Sequence, residues 1–175
     1  MHCPISGLEF LNPTFLLHFC VKTSVLATRL PDPSKSNVEE FLRLLHTAMG
    51  TEKPTIIFEN RPENRQGIAD LHLKTYSDGI PYIRGLALDH ASHVLQSDDK
   101  QEAADGRHLW VFGVLIGKPG KKQRPAYVKV QLGRSLAEPL CISFHPPMFR
   151  LSFLFPSDCS TLFQKLFDNE QSKHR

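Results

Sequence analysis

The side chains with the most chemistry in them fall late in the chain. Ala126-Tyr127-Val128-Lys129-Val130 alternates a phenol and an ammonium with apolar neighbours. In a strand, positions i and i+2 share a face, so Tyr127 and Lys129 point the same way. The next apolar run ends Cys141-Ile142-Ser143-Phe144-His145. Folded back as an antiparallel hairpin, it returns His145 to the start of the preceding strand, close to Tyr127. Arg107, His108 and Trp110 open the run before that. One sheet face can therefore carry imidazole, phenol, ammonium and guanidinium groups together.

That set suffices to cleave RNA without a metal ion. The ribose 2′-hydroxyl attacks its own 3′-phosphate, and a histidine titrating near neutrality removes or supplies the proton. Lysine or arginine neutralises the charge that builds on phosphorus, often the largest single contribution. An aromatic ring can stack on a splayed base. The expected catalytic set is Tyr127, His145, Lys129, Arg107 and His108, with His93 a secondary candidate, and no cofactor is implied. The plainer reading is that strands commonly turn Tyr and Lys to solvent, and that a histidine at a strand end is often only a surface residue.

Charge distribution points the same way. Lys and Arg number 21 against 18 Asp and Glu, a formal net charge of +3. Residues 1–60 carry five basic and six acidic side chains, whereas Lys118 to Arg134 holds six basic and none acidic. A stripe of that kind attracts phosphates by steering and counterion release. Lys118, Lys121, Lys122, Arg124 and Arg134 are the expected RNA contacts; the alternative is a hairpin kept soluble by its lysines.

Other chemistries find less support. Asp89-His90-Ala91-Ser92-His93 would place two histidines on adjacent turns of a helix, but no third ligand and no H-E-x-x-H motif accompanies them, so no metal site is expected. Glu59, Asp70 and Lys74 are the loose ingredients of a metal-dependent nuclease, without a tight acidic-x-lysine motif. The G-x-S-x-G elbow and the G-K-[ST] phosphate loop are absent. Cys3, Cys20, Cys141 and Cys159 form no C-x-x-C pair, which fits free thiols in a reducing compartment. With no leader-like N-terminus and no apolar stretch of roughly 18 residues, the expectation is a cytoplasmic protein that does not span a membrane.

The strands just described resemble the C-terminal strands of MqsR-type mRNA interferase toxins, in the wider group of small ribonucleases with the RelE-like fold. The resemblance rests on Trp110 to Gly113, on Tyr127-Val128-Lys129-Val130, and on Cys141 to His145. It implies that Tyr127 is a functional tyrosine and that His145 stands where that family has a basic residue, commonly lysine. It further implies a RelE-like fold, metal-independent cleavage of mRNA, and inhibition by a cognate antitoxin protein. Two other readings stay open. One is a non-catalytic protein-binding module, of an immunity, antitoxin-like or phage-related kind, with Met148, Phe149, Phe153 and Phe155 in a partner patch. The other is the metal-dependent nuclease.

The elements that must position these residues follow from hydrophobic periodicity. A length of 175 residues with 41% hydrophobic composition fits a single domain spanning 1–175. Phe15 to Leu26 reads as a strand or a buried helix. Asn37 to Met49 reads as a helix capped by Ser36 with Glu39 and closed by Gly50. Thr55–Glu59 and Asp70–Tyr76 read as strands, Asn60–Gly67 as a loop, Tyr82–Leu95 as a helix, and Ser97–Gly106 as a surface loop or frayed helix end. Apolar runs at His108–Ile116, Ala126–Leu132, Leu140–Phe144 and Phe149–Phe155 predict an antiparallel meander over residues 107–156, and Ser160–Phe167 a closing helix. The expected architecture is α+β, with N-terminal helices on a mostly antiparallel sheet and residues 1–60 as an extension packed on it.

Overall fold

The computed structural model describes residues 28–50, 52, 55–133 and 138–174. The run Phe15–Leu26, Cys3, Cys20 and Arg134 lie outside the described residues. Ile57–Phe58 (β1), Ala91–Leu95 (β2), Leu109–Ile116 (β3), Arg124–Gln131 (β4) and Leu140–His145 (β5) form one mixed sheet in the order β1-β5-β4-β3-β2. Strands β2 to β5 make an antiparallel meander, and β1 joins β5 in parallel. The architecture is α+β, with helices over a mostly antiparallel sheet.

Helix Lys35–Met49 (α1) lays Val38, Phe41, Leu42, Leu45 and Met49 on one face of the sheet. Burying each such side chain contributes about 2 kcal/mol. Phe41 stacks on Trp110 of β3, with ring centroids 4.3 Å apart. The capping box begins two residues earlier than the expected Ser36: the Ser34 hydroxyl accepts from the Asn37 N–H, and the Asn37 side chain accepts from the Ser34 N–H, each at 3.2 Å. Gly50 closes the helix with φ 78°.

The expected loop at Asn60–Gly67 is instead the start of helix Pro62–Asp70 (α2), and the expected strand at Asp70–Tyr76 is its exit. His72 takes φ 59°, its N–H bonds to the Ala69 carbonyl, and the Leu73 N–H bonds to the Ile68 carbonyl, each at 2.9 Å. These two bonds form a Schellman cap with His72 at the left-handed position. Leu71 and Leu73 alternate because they flank this turn.

The expected helix Tyr82–Leu95 is in fact a short helix, Ile80–Arg84 (α3), a 3₁₀ turn at Leu88–His90, and β2. A β-bulge between Ala91 and His93 explains the misleading pattern. The extra residue, Ser92, puts Ala91 and Val94 on the same face, so apolar positions three apart imitate helical spacing. Polar Ser97–Gly106 contains the short helix Lys100–Ala104 (α4).

Phe149–Phe155, expected as the fourth meander strand, forms no ladder with any of the described strands; β2 takes that place. The outer edge of β5 is already occupied by β1 and by Asn64 of α2, so the run does not extend the sheet there; it touches β2 instead, with the Leu154 N–H donating to the Ala91 carbonyl at 2.9 Å. It crosses the sheet's other face as a strap, with Phe153 against Gly113 of β3 and Leu151 buried. Helix Asp158–Gln171 (α5), longer than the expected Ser160–Phe167, covers the same face through Phe163. No helix among the described residues is long and apolar enough to cross a membrane.

Candidate functional site

Strand alternation sends Ala126, Val128 and Val130 into the core beneath α1, leaving Tyr127, Lys129 and Gln131 on the strap side. The β4–β5 register pairs Tyr127 with His145 and Lys129 with Ser143. The His145 ring stacks on the Tyr127 ring with centroids 5.2 Å apart and planes 18° from parallel. Phe149 of the strap meets Tyr127 edge-on at 5.8 Å, and Leu151 and Phe163 pack against the same ring. Tyr127 is only 6% exposed, and burial pushes its phenol up to about 12.

His145 is half-buried. Its Nδ1–H donates to the Pro146 carbonyl at 2.8 Å, which places the proton on Nδ1 in the neutral ring. Nε2 makes no hydrogen bond with a described residue, and the ring lines an open, mostly apolar cleft of about 630 Å³ beside Pro62, Gly67, Pro147 and Met148. Two features fix the imidazole's height above the sheet. A Cβ on Gly67 would come within 2.4 Å of the Phe144 carbonyl oxygen and 2.5 Å of His145 Cβ, so only glycine lets α2 pack this closely. Buried Asn64 satisfies the β5 edge beside a bulge: its amide donates to the Glu59 carbonyl at 2.9 Å and the Ile142 carbonyl at 3.1 Å. Its oxygen accepts from the Phe144 N–H at 2.8 Å.

Lys129 shares the face but opens into a separate cleft of about 280 Å³, lined by Glu59, Arg61, Asp98, Glu102 and Gln131 among others. Burial lowers its pKa below that of an ordinary lysine, Arg61 adds to the shift, and Asp98 and Glu59 oppose it. Arg107 sits behind this second cleft, paired with Glu102 at 3.2 Å and Asp105 at 3.5 Å. Glu102 also accepts from Ser97 at 2.6 Å and Gln131 at 2.9 Å. The Ser97 bond is the main cause that holds the Glu102 carboxyl below its usual range. His108 is half-buried with Nδ1 unpartnered. The structure thus brings Tyr127 and His145 together, sets Lys129 beside them facing another cleft, and leaves Arg107 engaged with carboxylates.

Lys118 and Lys121 are exposed on the β3–β4 hairpin. Lys122 and Arg124 line a third cleft of about 580 Å³ with His72, Pro125, Pro146 and Lys173. His72 and Lys173 are additions that sequence patterning did not single out. Glu59, Asp70 and Lys74 do not converge: Glu59 pairs with Arg61 in the Lys129 cleft, and Asp70 accepts from Gln66 at 2.8 Å on α2.

His90 and His93 also part company, because β2 replaces the helix. His93 Nδ1–H donates to Ser92 Oγ at 2.9 Å, whose own proton goes to the Ser152 carbonyl at 2.7 Å. His90 instead gathers with Asp89 and Cys159, their donor atoms within 4.8 Å of one another. Its Nδ1 accepts the Ala87 N–H at 3.0 Å, so the neutral ring carries its proton on Nε2 and has no lone pair left for a metal in this orientation. Cys141 is buried, and burial pushes its thiol up; Cys159 is exposed. Compared with known proteins, the chain matches no family model, no curated protein and no solved structure.

Proposed function

We propose that this chain is a toxin-type endoribonuclease that cleaves mRNA without a metal ion and is held in check by a cognate antitoxin. The observation that carries the reading is the His145 imidazole, stacked on Tyr127, anchored through Nδ1 to Pro146, and free at Nε2 on the wall of a cleft. The resemblance of the Tyr127 and His145 strands to those of MqsR-type toxins supports it.

In this mechanism Nε2 takes the proton from a ribose 2′-hydroxyl as that oxygen attacks the adjacent phosphorus. The Nδ1–H bond to the Pro146 carbonyl steadies the imidazolium that forms. The bond from phosphorus to the 5′-oxygen then breaks, the imidazolium returns its proton to that oxygen, and a 2′,3′-cyclic phosphate remains. Lys129 on the same face and Lys122 and Arg124 at the sheet end supply positive potential. Tyr127 supplies a flat, buried platform rather than a proton.

The test is incubation of the purified chain with RNA in EDTA. Cleavage is expected, with His145→Ala losing at least about 100-fold. Intact RNA with folded protein overturns the reading.

A second reading has its own observation: Met148 is 81% and Phe149 53% exposed, a large apolar pair on the strap. A protein-binding module would use them as anchors. Phe153 and Phe155 pack inward and do not belong to such a patch. A chain that binds a partner through Met148 and Phe149 yet leaves RNA intact fits that reading.

A further inference from the structure

We propose that the cleft at the open end of β4 is a phosphate-binding subsite that holds the sugar–phosphate backbone of the same RNA. This rests on the ribonuclease reading for its substrate and adds a second contact site with its own residues. The argument begins with convergence. His72 comes from the exit of α2, Lys122 and Arg124 from the hairpin and the start of β4, and Lys173 from the turn after α5. These distant parts of the chain meet around one cleft, and among the described residues none of the four side chains makes a hydrogen bond or ion pair. Two carboxylates, Asp70 and Glu170, also line it, against the three permanent cations Lys122, Arg124 and Lys173, so the positive charges outnumber the negative ones; Asp70 is turned to Gln66 at 2.8 Å.

The second argument is backbone conformation. His72 occupies the left-handed position of a Schellman cap, φ 59°, where glycine is the unstrained choice. The chain keeps an imidazole there at a conformational cost, on the wall of a cationic cleft.

The third is continuity. Asp70 and Pro146 line both this cleft and the His145 cleft, so a strand leaving His145 passes directly into it. Arg124 lies three residues before Tyr127 along β4, ~10 Å away, within a few nucleotides of the reacting phosphate. Beyond His145, no described strand pairs with β4 on that side, and Pro125 there lacks a backbone N–H to offer another strand. A flexible polyanion fits such an end better than a β-strand partner does.

The experiment uses the full chain and a fluorescein-labelled hexamer of 2′-O-methyl RNA, which cannot be cleaved, so binding is read independently of catalysis. Lys122→Gln with Arg124→Gln should weaken binding about tenfold and reduce the slope of log affinity against log salt by about 1.4, two phosphate contacts' worth on a single strand. His72→Gly should raise the thermal midpoint by relieving strain while weakening binding several-fold. Unchanged affinity and slope in the double variant overturn the subsite, and so does a labelled hexaglutamate bound as tightly as the hexamer. If the variants bind weakly but wild-type chain leaves ordinary RNA intact, the subsite stands and the nuclease reading falls.

Discussion

The imidazole of His145 lies flat on the buried phenol of Tyr127, 5.2 Å between centroids, and the two residues face each other across the β4–β5 ladder. This cross-strand pair divides the labour. Tyr127, with its phenol pushed up to about 12, keeps its proton through the physiological range and acts as a surface. His145 keeps one ring nitrogen free beside a cleft.

Tyr127→Phe should therefore retain cleavage within a few-fold, since the ring and its stacking survive. Tyr127→Ala should cost about 3–5 kcal/mol in stability, because the ring packs on Leu151 and Phe163 beneath the strap. Cleavage assays beside urea unfolding separate the two effects. A loss of 100-fold or more in Tyr127→Phe, at unchanged stability, would make the phenol itself a chemical group.

Much of this pair was legible in the sequence. Period-2 alternation placed Tyr127 and Lys129 on one face, and the hairpin returned His145 to Tyr127. Alternation does not reveal what lies over a face, so the burial of Tyr127 under Phe149 was invisible until the strap was placed. Bulges explain the misread helix: Ser92 is an extra residue in β2, and a local slip of one position converts strand spacing into helical spacing. Pro62 at the first turn, followed by Glu63, Arg65, Gln66 and Ala69, did carry a helix-start signal for α2. His72 and Lys173 join the cationic cleft only through tertiary packing, which no local pattern encodes.

Stability should depend on pH through His93. Burial, reinforced by Arg29 and Lys129 and opposed by Asp32, lowers its pKa from 6.5 to about 4. The unfolded chain takes up a proton near 6.5 and the folded chain only near 4, so the contribution is full above 6.5 and declines as pH falls between those values. For this half-buried group the loss by pH 4 is about 1–2 kcal/mol after screening. Burial lowers His46 and His90 in the same direction. His93→Asn keeps a donor for Ser92 Oγ and cannot titrate, so urea unfolding from pH 7.5 to 4.5 should show a shallower decline. An identical pH profile in the variant would assign the dependence elsewhere.

Asn64 should be the most sensitive polar residue of the scaffold. Asn64→Ala removes the side-chain partners of the Ile142 carbonyl and the Phe144 N–H beside β5, while the Glu59 carbonyl keeps the Arg61 N–H at 2.8 Å, at a cost of about 2–3 kcal/mol. Asn64→Asp is expected to be worse at pH 7, because an acceptor then faces the Glu59 and Ile142 carbonyls. Protonating that acid restores a donor, so the Asp variant's thermal midpoint should rise relative to the Ala variant between pH 7 and 5. A constant difference across that range would show that the amide's donors are not what β5 requires.

Gly67 tests whether the close approach of α2 sets the position of His145. In an unconstrained helix, glycine to alanine stabilises by about 1 kcal/mol. Here the added Cβ would meet the Phe144 carbonyl oxygen at 2.4 Å, His145 Cβ at 2.5 Å and His145 Cα at 2.7 Å. Two of these are backbone atoms of a central-sheet strand and cannot rotate away. Gly67→Ala should therefore lose about 2 kcal/mol rather than gain, and should lower the rate of RNA cleavage more than it weakens binding of an uncleavable oligonucleotide. Denaturant unfolding reads the first effect; single-turnover cleavage beside oligonucleotide titration reads the second. A stabilised, fully active Gly67→Ala protein would mean that α2 moves off β5 at no cost, and that the imidazole is held by Pro146 and Tyr127 alone.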